Sequence, residues 1–550
     1  MTAKLHARLD LSYLSADTST KLQEYTVGAL LAERARTHGD VTALVGPAHD
    51  DGAEMRLTYR ELFEEACRVA TALARLTTPG DYVALWAPNV VEWPMIQYGA
   101  ALAGVVLVAL NPALRPPELA YALGHSRPRV LIHADRSRNY DTAAAVGEID
   151  THFLGVRTIS LSSRAEWRSD NIDADVIVAA PTDRGQPVML QYTSGTTGTP
   201  KGVLLRHRSL VNVAKLTMET AGIPAGAVTA NPLPMFHTAA CVVGTLGPAW
   251  IGGTEVLMGR FEPTAVLDAM RREHVTVLFF VPTMLTALVA AQRESAGPAP
   301  RLSTCLGGAS TVSAELIKAA ECTFGATVVN VYGQTELSPV LTATRPDDDR
   351  DDQLATVGRP LPQVDCKVVD PVTGAVVPVG RPGEICARGY QQMIGYLHDP
   401  VATAAAVDAD GFVHTGDLGV MDERGYLTHT GRLKELIIRG GENIAPAEVE
   451  ACLAGHEVVA EACAFGLPDD RLGEIVAVVI VASGPLPPTD VVAQLHALAR
   501  KHLTPHKVPQ RWFLADDLPK TPTGKVRKFA LPDLIAQGSV RELFREEPDQ

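Results

Sequence analysis

The sequence predicts an α/β fold: a large N-terminal domain built on parallel-type sheets, a β-rich subdomain near its end, and a small α+β C-terminal domain. Three observations carry this reading. Strand and helix patterns alternate through the first 180 residues, short β-rich pieces separated by Gly and Pro appear after residue 360, and a new compact α/β pattern begins beyond Gly431. With 550 residues, the chain has length for three or four domains of roughly 150 residues each.

Each element has its own justification. Leu57–Leu62 opens a helix in which Leu62, Ala66, Val69, Ala70 and Leu73 recur at helical spacing. Gly80–Trp86 and Val130–His133 are short apolar runs that read as buried strands, and strands separated by amphipathic helices imply parallel sheets covered on both faces. Tyr98–Leu110 is an apolar run of 13 residues stopped by Asn111-Pro112. A membrane span needs about 20, so this run predicts a buried helix followed by a strand. Val188–Tyr192 is strand-like, and the acidic stretch Asp347–Asp352 is expected to be a solvated loop. Cys366–Val369 and Gly383–Ala387 are the β pieces of the open subdomain. A helix near Pro446–Leu453, strands at Ala460–Gly466 and Ile475–Ala482, and a helix over Thr489–His502 complete the C-terminal pattern. The expected domains are therefore 1–432, with the β-rich subdomain at about 360–430, and 433–550.

Composition narrows the function. Acidic residues outnumber basic ones by 63 to 49, a net charge of −14, which argues against general binding to nucleic acid or to an anionic membrane. None of the eight cysteines forms a CxxC pair, so neither a zinc site nor a thioredoxin-like motif is indicated. The opening MTAKLHARLDLSYLSADTST has no continuous apolar stretch. The expectation is a cytoplasmic chain with reduced thiols and no membrane span.

The strongest chemical signal is Tyr192–Gly202, YTSGTTGTPKG. Hydroxyls of Thr193, Ser194, Thr196 and Thr197 and the glycines Gly195, Gly198 and Gly202 surround Lys201. Glycine lets backbone N–H groups turn inward, while hydroxyls and a lysine add donors for phosphate oxygens. This is a strand-to-loop phosphate cradle. It is not a Walker loop, because Lys201 follows Pro200 and no Ser or Thr follows it.

The stretch resembles the phosphate-loop signature of the adenylate-forming superfamily: acyl-CoA synthetases, luciferases and peptide-synthetase adenylation domains. Further motifs follow in the family's order across roughly residues 27–530: Pro234-Met235-Phe236-His237, Tyr332-Gly333-Gln334-Thr335-Glu336, Thr415-Gly416-Asp417, Gly431-Arg432-Leu433-Lys434-Glu435, Gly440-Gly441-Glu442-Asn443-Ile444 and Pro522-Thr523-Gly524-Lys525.

The resemblance implies ATP, Mg²⁺ and coenzyme A as reactants and helpers, and a small-molecule carboxylic acid as substrate. It places Thr193, Ser194, Gly195, Thr196, Thr197, Gly198 and Lys201 on the β- and γ-phosphates, and Thr335 on the α-phosphate. Glu336, with Thr193, would hold Mg²⁺. Tyr332 would stack on adenine, with Asn330, Gly333 and the Gly307-Gly308-Ala309 turn at its edges, while Asp417 and Arg432 would hold the ribose. His237 would stand beside the acyl pocket, and Lys525 would reach between the carboxylate oxygen and the α-phosphate. Arg439, Gly440 and Gly441 would line the route of the CoA arm, and Lys434 would be the hinge about which a small mobile domain turns.

Branch features point to CoA as acceptor. Peptide-synthetase domains carry Phe-Asp where this chain has Phe236-His237, so the acid should lack an α-amine. Only 21 residues, Leu337–Val357, separate Glu336 from Gly358-Arg359-Pro360, which leaves little room for the insertion of fatty-acyl-AMP ligases. A carrier-protein acceptor, or a thioester-forming half-reaction from preformed acyl-AMP, stays open. The small residues Thr238–Gly247 could leave a wide cavity for a bulky apolar acid, alicyclic or aromatic, or could serve close helix packing. Oligomeric state is left open, a homodimer included.

Overall fold

The computed structural model describes residues 8–49, 52–151, 154–193, 200–310, 312–439, 442–469, 471–484, 489–520 and 526–545. The fold is mixed α/β and divides into two compact units. One comprises Leu14–Cys366 and Cys386–His414; the other comprises the residues up to Tyr13, Lys367–Ile385, and those from Thr415 onward.

The larger unit contains two extended sheets. The first has seven strands in the order Gly395–Tyr396, Lys201–Arg206, Pro187–Thr193, Val106–Leu110, Tyr82–Trp86, Val130–His133 and Arg157–Ser160. The second has nine strands and runs from Arg359–Pro360 through Thr342–Ala343, Thr327–Tyr332, Thr304–Gly308 and Val277–Phe280 to Val228–Asn231, Thr254–Leu257, Thr42–Pro47 and Glu54–Thr58. The inner pairs are parallel, as expected, while the edges turn antiparallel: Lys201–Arg206 against Pro187–Thr193, and Thr342–Ala343 against Thr327–Tyr332.

Local rules explain the elements. Thr58 caps the helix Tyr59–Ala74 reciprocally with Glu61, a capping box. The 98–110 run becomes the end of the helix Glu92–Ala103, every residue of which is buried, and the strand Val106–Leu110. Gly99 lets that helix lie against its neighbour, because a Cβ there would stand 2.5 Å from Val69. The acidic stretch corrects the solvated-loop expectation. Arg350–Ala355 is a short helix, Asp348 and Asp352 are buried, and Asp348 accepts the Arg345 N–H at 2.7 Å and pairs with Arg359 at 3.4 Å. Asp348 finds its cationic partner in Arg359, outside the acidic stretch.

In the smaller unit, Val413–Met421 pairs antiparallel with Leu427–Arg432, setting Asp417 opposite Arg432. A six-stranded sheet follows, centred on Gly473–Ala482. That strand is a continuous apolar run because both of its faces are covered. Val476, Val478 and Ile480 pack with Leu453, Leu495 and Trp512, while Ala477 and Val479 pack with Phe465, Phe513 and Leu531. The eight cysteines form no disulfide. Among the described residues no helix is long and apolar enough to cross a membrane.

Candidate active site

In the larger unit, the ends of two parallel strands build a bare ledge. Thr304–Gly308 and Thr327–Tyr332 run side by side with Gly307 opposite Asn330. A Cβ on Gly307 would lie 2.1 Å from the Phe280 carbonyl oxygen, and one on Gly308 would lie 2.0 Å from that of Val331. Ala309 follows at φ +71°, a region an alanine enters only when its surroundings hold it there. Asn330 is buried; its backbone N–H donates to Thr344 Oγ1 at 2.9 Å and its Nδ2 to the Thr356 carbonyl at 3.3 Å. Tyr332 ends the strand half-buried, and Gly333 passes so close to Pro339 that a Cβ would meet its carbonyl oxygen at 2.0 Å. Five expected adenine-side residues, Gly308, Ala309, Asn330, Tyr332 and Gly333, thus meet at the carboxyl ends of parallel strands, where α/β sheets bind ligands.

The turn Thr335–Leu337 brings in the carboxylate. The Glu336 backbone carbonyl accepts the Met393 N–H at 2.8 Å, and its Oε1 accepts the Tyr396 hydroxyl at 2.9 Å. Over the same ring lies Lys201 Nζ, 4.6 Å from the centroid, a cation–π contact. Burial, reinforced by the Glu336 charge, pushes the Tyr396 phenol above its ordinary pKa, so it stays a donor. Tyr396 therefore joins the lysine of the phosphate loop to the expected metal-binding glutamate. Sequence reasoning missed it, since a lone Gly395-Tyr396 pair carries no spacing signal.

The loop's flanks are pinned. Thr193 stands opposite Lys201, and Tyr192 opposite Gly202, on antiparallel strands. The helix Pro116–Ser126 holds both ends: the Tyr121 hydroxyl donates to the Pro200 carbonyl and the Tyr192 hydroxyl to that of Ala122, each at 3.0 Å. Ser194, Gly195, Thr196, Thr197 and Gly198 lie outside the described residues.

His237 enters a π-helical turn, Ala239–Gly244, a form concentrated at functional sites. Its Nδ1 accepts the Ala239 N–H at 3.2 Å. The small residues beyond it serve close packing. A Cβ on Gly244 would stand 2.4 Å from Asn231 Nδ2, and one on Gly247 would stand 3.0 Å from Met218. Beneath the turn, Glu255 is fully buried and accepts hydrogen bonds from Asn231 at 2.7 Å and Thr245 at 3.2 Å. Burial nevertheless lifts its pKa to about 8.

In the smaller unit, Asp417 is 3% exposed and its Oδ1 takes Arg432 Nε at 3.0 Å. The Gly416 N–H donates to Glu384 at 2.9 Å and the Thr415 hydroxyl to the Ile385 carbonyl at 2.7 Å, which fixes the TGD turn. Lys434 sits exposed in a single 3₁₀ turn, Leu433–Glu435, between Leu427–Arg432 and Ile437–Arg439. Arg439 donates to the carbonyls of Pro505 and His506 at 3.3 and 2.5 Å. Lys528 binds Glu450 at 2.7 Å and Glu435 at 3.4 Å. Burial disfavours its ammonium, but these carboxylates outweigh that and hold its pKa above the ordinary lysine value. Gly440, Gly441 and Lys525 lie outside the described residues.

Comparison with known proteins agrees with this geometry. Residues 31–397 match the AMP-binding enzyme family, and residues 448–525 match the AMP-binding enzyme C-terminal domain. The chain is 34% identical over 533 residues to the 3-[(3aS,4S,7aS)-7a-methyl-1,5-dioxo-octahydro-1H-inden-4-yl]propanoyl:CoA ligase of Rhodococcus jostii (strain RHA1), covering 92% of this chain and 98% of that protein. Among solved structures, ATP-bound MatB from Rhodopseudomonas palustris superposes with a TM-score of 0.78 at 28% identity, covering 92% of this chain and 99% of that one. The anthranilate CoA ligase AuaEII in complex with anthranoyl-AMP reaches a TM-score of 0.82 at 25% identity, covering 94% and 99%. Family models that match residues 31–397 and 448–525, with a CoA ligase matched nearly end to end, leave one conclusion: the chain belongs to the AMP-binding enzymes, the adenylate-forming superfamily, in its acyl-CoA synthetase branch.

Proposed function

We propose that this enzyme is an AMP-forming acyl-CoA ligase for a carboxylic acid without an α-amine. The observation that supports it most is the placement of Lys201 and Glu336 on one tyrosine, Tyr396. In the first half-reaction a carboxylate oxygen bonds to the α-phosphorus of ATP while the bond to the bridging oxygen breaks, and pyrophosphate leaves with that electron pair. In the second, the CoA sulfur, having lost its proton, bonds to the acyl carbon and AMP departs with the electrons of the anhydride bond.

Each residue has a task in this scheme. Thr193, Ser194, Gly195, Thr196, Thr197, Gly198 and Lys201 receive the β- and γ-phosphates, and Thr335 the α-phosphate. Gly308, Ala309, Asn330, Tyr332 and Gly333 receive adenine; Asp417 and Arg432 receive the ribose, for which a carboxylate is a strong acceptor. The oxygen donors of Glu336 and Thr193 fit a hard cation, and Mg²⁺, when bound, neutralises β- and γ-phosphate oxygens. Lys525 supplies a point charge to the transition state, and His237 flanks the acid. Residues 433–550 move as a domain about Lys434 and bring Arg439, Gly440 and Gly441 toward the CoA arm.

The relatives named for a dioxo-octahydroindenyl propanoyl group and for anthranilate support a bulky alicyclic or aromatic acid. Pyrophosphate exchange across an acid panel, followed by detection of CoA thioesters, tests the reading. Exchange without a CoA thioester would favour loading of a carrier protein. A thioester formed only from supplied acyl-AMP would favour the half-reaction enzyme, and silence in every arm would refute ligase function.

A further inference from the structure

A second cationic site lies in the larger unit, at the start of the helix His207–Thr220. Arg206 is its N-cap residue and makes no capping bond, and Arg208 follows two places on. Two cations at the positive end of a helix oppose its dipole, an arrangement that costs stability unless an anion is bound there. The Asp183 carboxylate is near enough to act on His207, the first helical residue, but it makes no ion pair with either arginine. Arg206 is half-buried, its Nη2 donates to the Met393 carbonyl at 3.4 Å, and the Nε atoms of both arginines are buried without a partner. Among the described residues neither arginine forms an ion pair with a carboxylate. Burial, and then the Arg208 charge, lower the Arg206 pKa, the mark of a cation held in an unfavourable place.

Both arginines line a cavity of about 410 Å³, together with Leu22, Gln363, Tyr390 and Gln392. Tyr390 is 8% exposed, and its hydroxyl is buried with no hydrogen-bond partner. Orphaned buried donors are rare and ask for a ligand. Two guanidinium-bearing side chains and a phenol-bearing one thus meet at one cavity. That set matches a phosphate group, whose three terminal oxygens accept and whose charge is close to −2 near neutral pH. We propose that Arg206, Arg208 and Tyr390 form a second anion site that binds a small phosphate-bearing ligand. The site is separate from the nucleotide ledge but linked to it. The Met393 carbonyl takes Arg206, while the Met393 N–H donates to the Glu336 carbonyl at 2.8 Å.

The test uses inorganic phosphate as probe, titrated calorimetrically into full-length enzyme already saturated with ATP and Mg²⁺, so that the phosphate loop is occupied. The expected result is one saturable phosphate per chain. The double variant Arg206→Gln/Arg208→Gln should weaken it about tenfold or more, on the scale of one lost charge-assisted hydrogen bond, with ATP affinity unchanged. Tyr390→Phe, which keeps the ring and its packing, should weaken it severalfold and serves if the double variant fails to fold. Absence of saturable phosphate binding by the native enzyme, equal binding by the variants, or binding of citrate but not phosphate would each overturn the proposal.

Discussion

Replacing Tyr396 by Phe removes one atom from the centre of the proposed site. The ring stays, and with it the Lys201 contact at 4.6 Å; what is lost is the hydroxyl that donates to Glu336 at 2.9 Å. A hydrogen bond to a charged group contributes about 1.5–3 kcal/mol. Glu336 is only half-buried, so water can replace the donor and the lower end applies, which is roughly tenfold. Tyr396→Leu also removes the ring, and a cation–π contact of about 0.5–1 kcal/mol adds a further factor of roughly two to five. The assay is acid-dependent pyrophosphate exchange at stepped Mg²⁺, with thermal melts as a folding control. The Phe variant should need more Mg²⁺ for half-maximal exchange and lose about tenfold at low Mg²⁺. Thioester formation from supplied acyl-AMP should be unchanged, because the phosphates have already left. Native exchange at every Mg²⁺ concentration, or a Leu variant no worse than Phe, would refute the idea that this ring organises Lys201 and Glu336.

Three further outcomes follow from the same geometry. Asp417→Ala should weaken ATP by roughly 10–150-fold in calorimetry, since two ribose hydroxyls lose a charged acceptor; unchanged affinity in a folded variant removes Asp417 from the site. Lys434→Pro, which locks φ near −65° and restricts Leu433, should allow pyrophosphate release in the first turnover but block thioester formation, so that acyl-AMP accumulates, whereas Lys434→Ala should be mild. A Pro variant making acyl-CoA at the native rate would end the hinge assignment. Glu255, with a folded pKa of about 8 against an ordinary 4.5, holds a proton in the native state that the unfolded chain gives up. Its contribution is therefore full below about pH 4.5 and falls through about pH 8, by on the order of 1 kcal/mol per pH unit. Glu255→Gln, which keeps an acceptor for Asn231 and Thr245, should flatten that part of the melting-temperature profile; an unchanged slope would contradict a neutral Glu255.

How much could be read from sequence depended on the range of the interaction. Val130–His133, a short apolar run, and Thr489–His502 are local signals, and the structure places a strand and a helix at those residues. The residues expected at adenine came from the order of motifs that the resemblance supplied, and the structure brings Gly307, Gly308, Asn330 and Tyr332 together on two paired strands. Tyr396 was illegible because it meets Lys201 and Glu336 only through strand pairing across some 190 and 60 residues. The Asp347–Asp352 stretch misled for a related reason: Asp348 is buried against Arg359, which lies outside the stretch and which a local count of charge overlooks. The packing role of Gly244 and Gly247 depends on Asn231 and Met218 arriving from elsewhere, which no pattern of small residues announces.

The Lys528 bridge has a mechanical consequence. Glu435 closes the turn that contains Lys434, and Lys528 ties that turn to Glu450 on the helix Pro446–Ala454. With the proposed pivot at Lys434, one ammonium would fasten the far side of that turn to the helix it carries. Lys525 precedes Lys528 by only three residues. The lysine proposed for the transition state is thus close in sequence to the ammonium that fastens the proposed hinge turn.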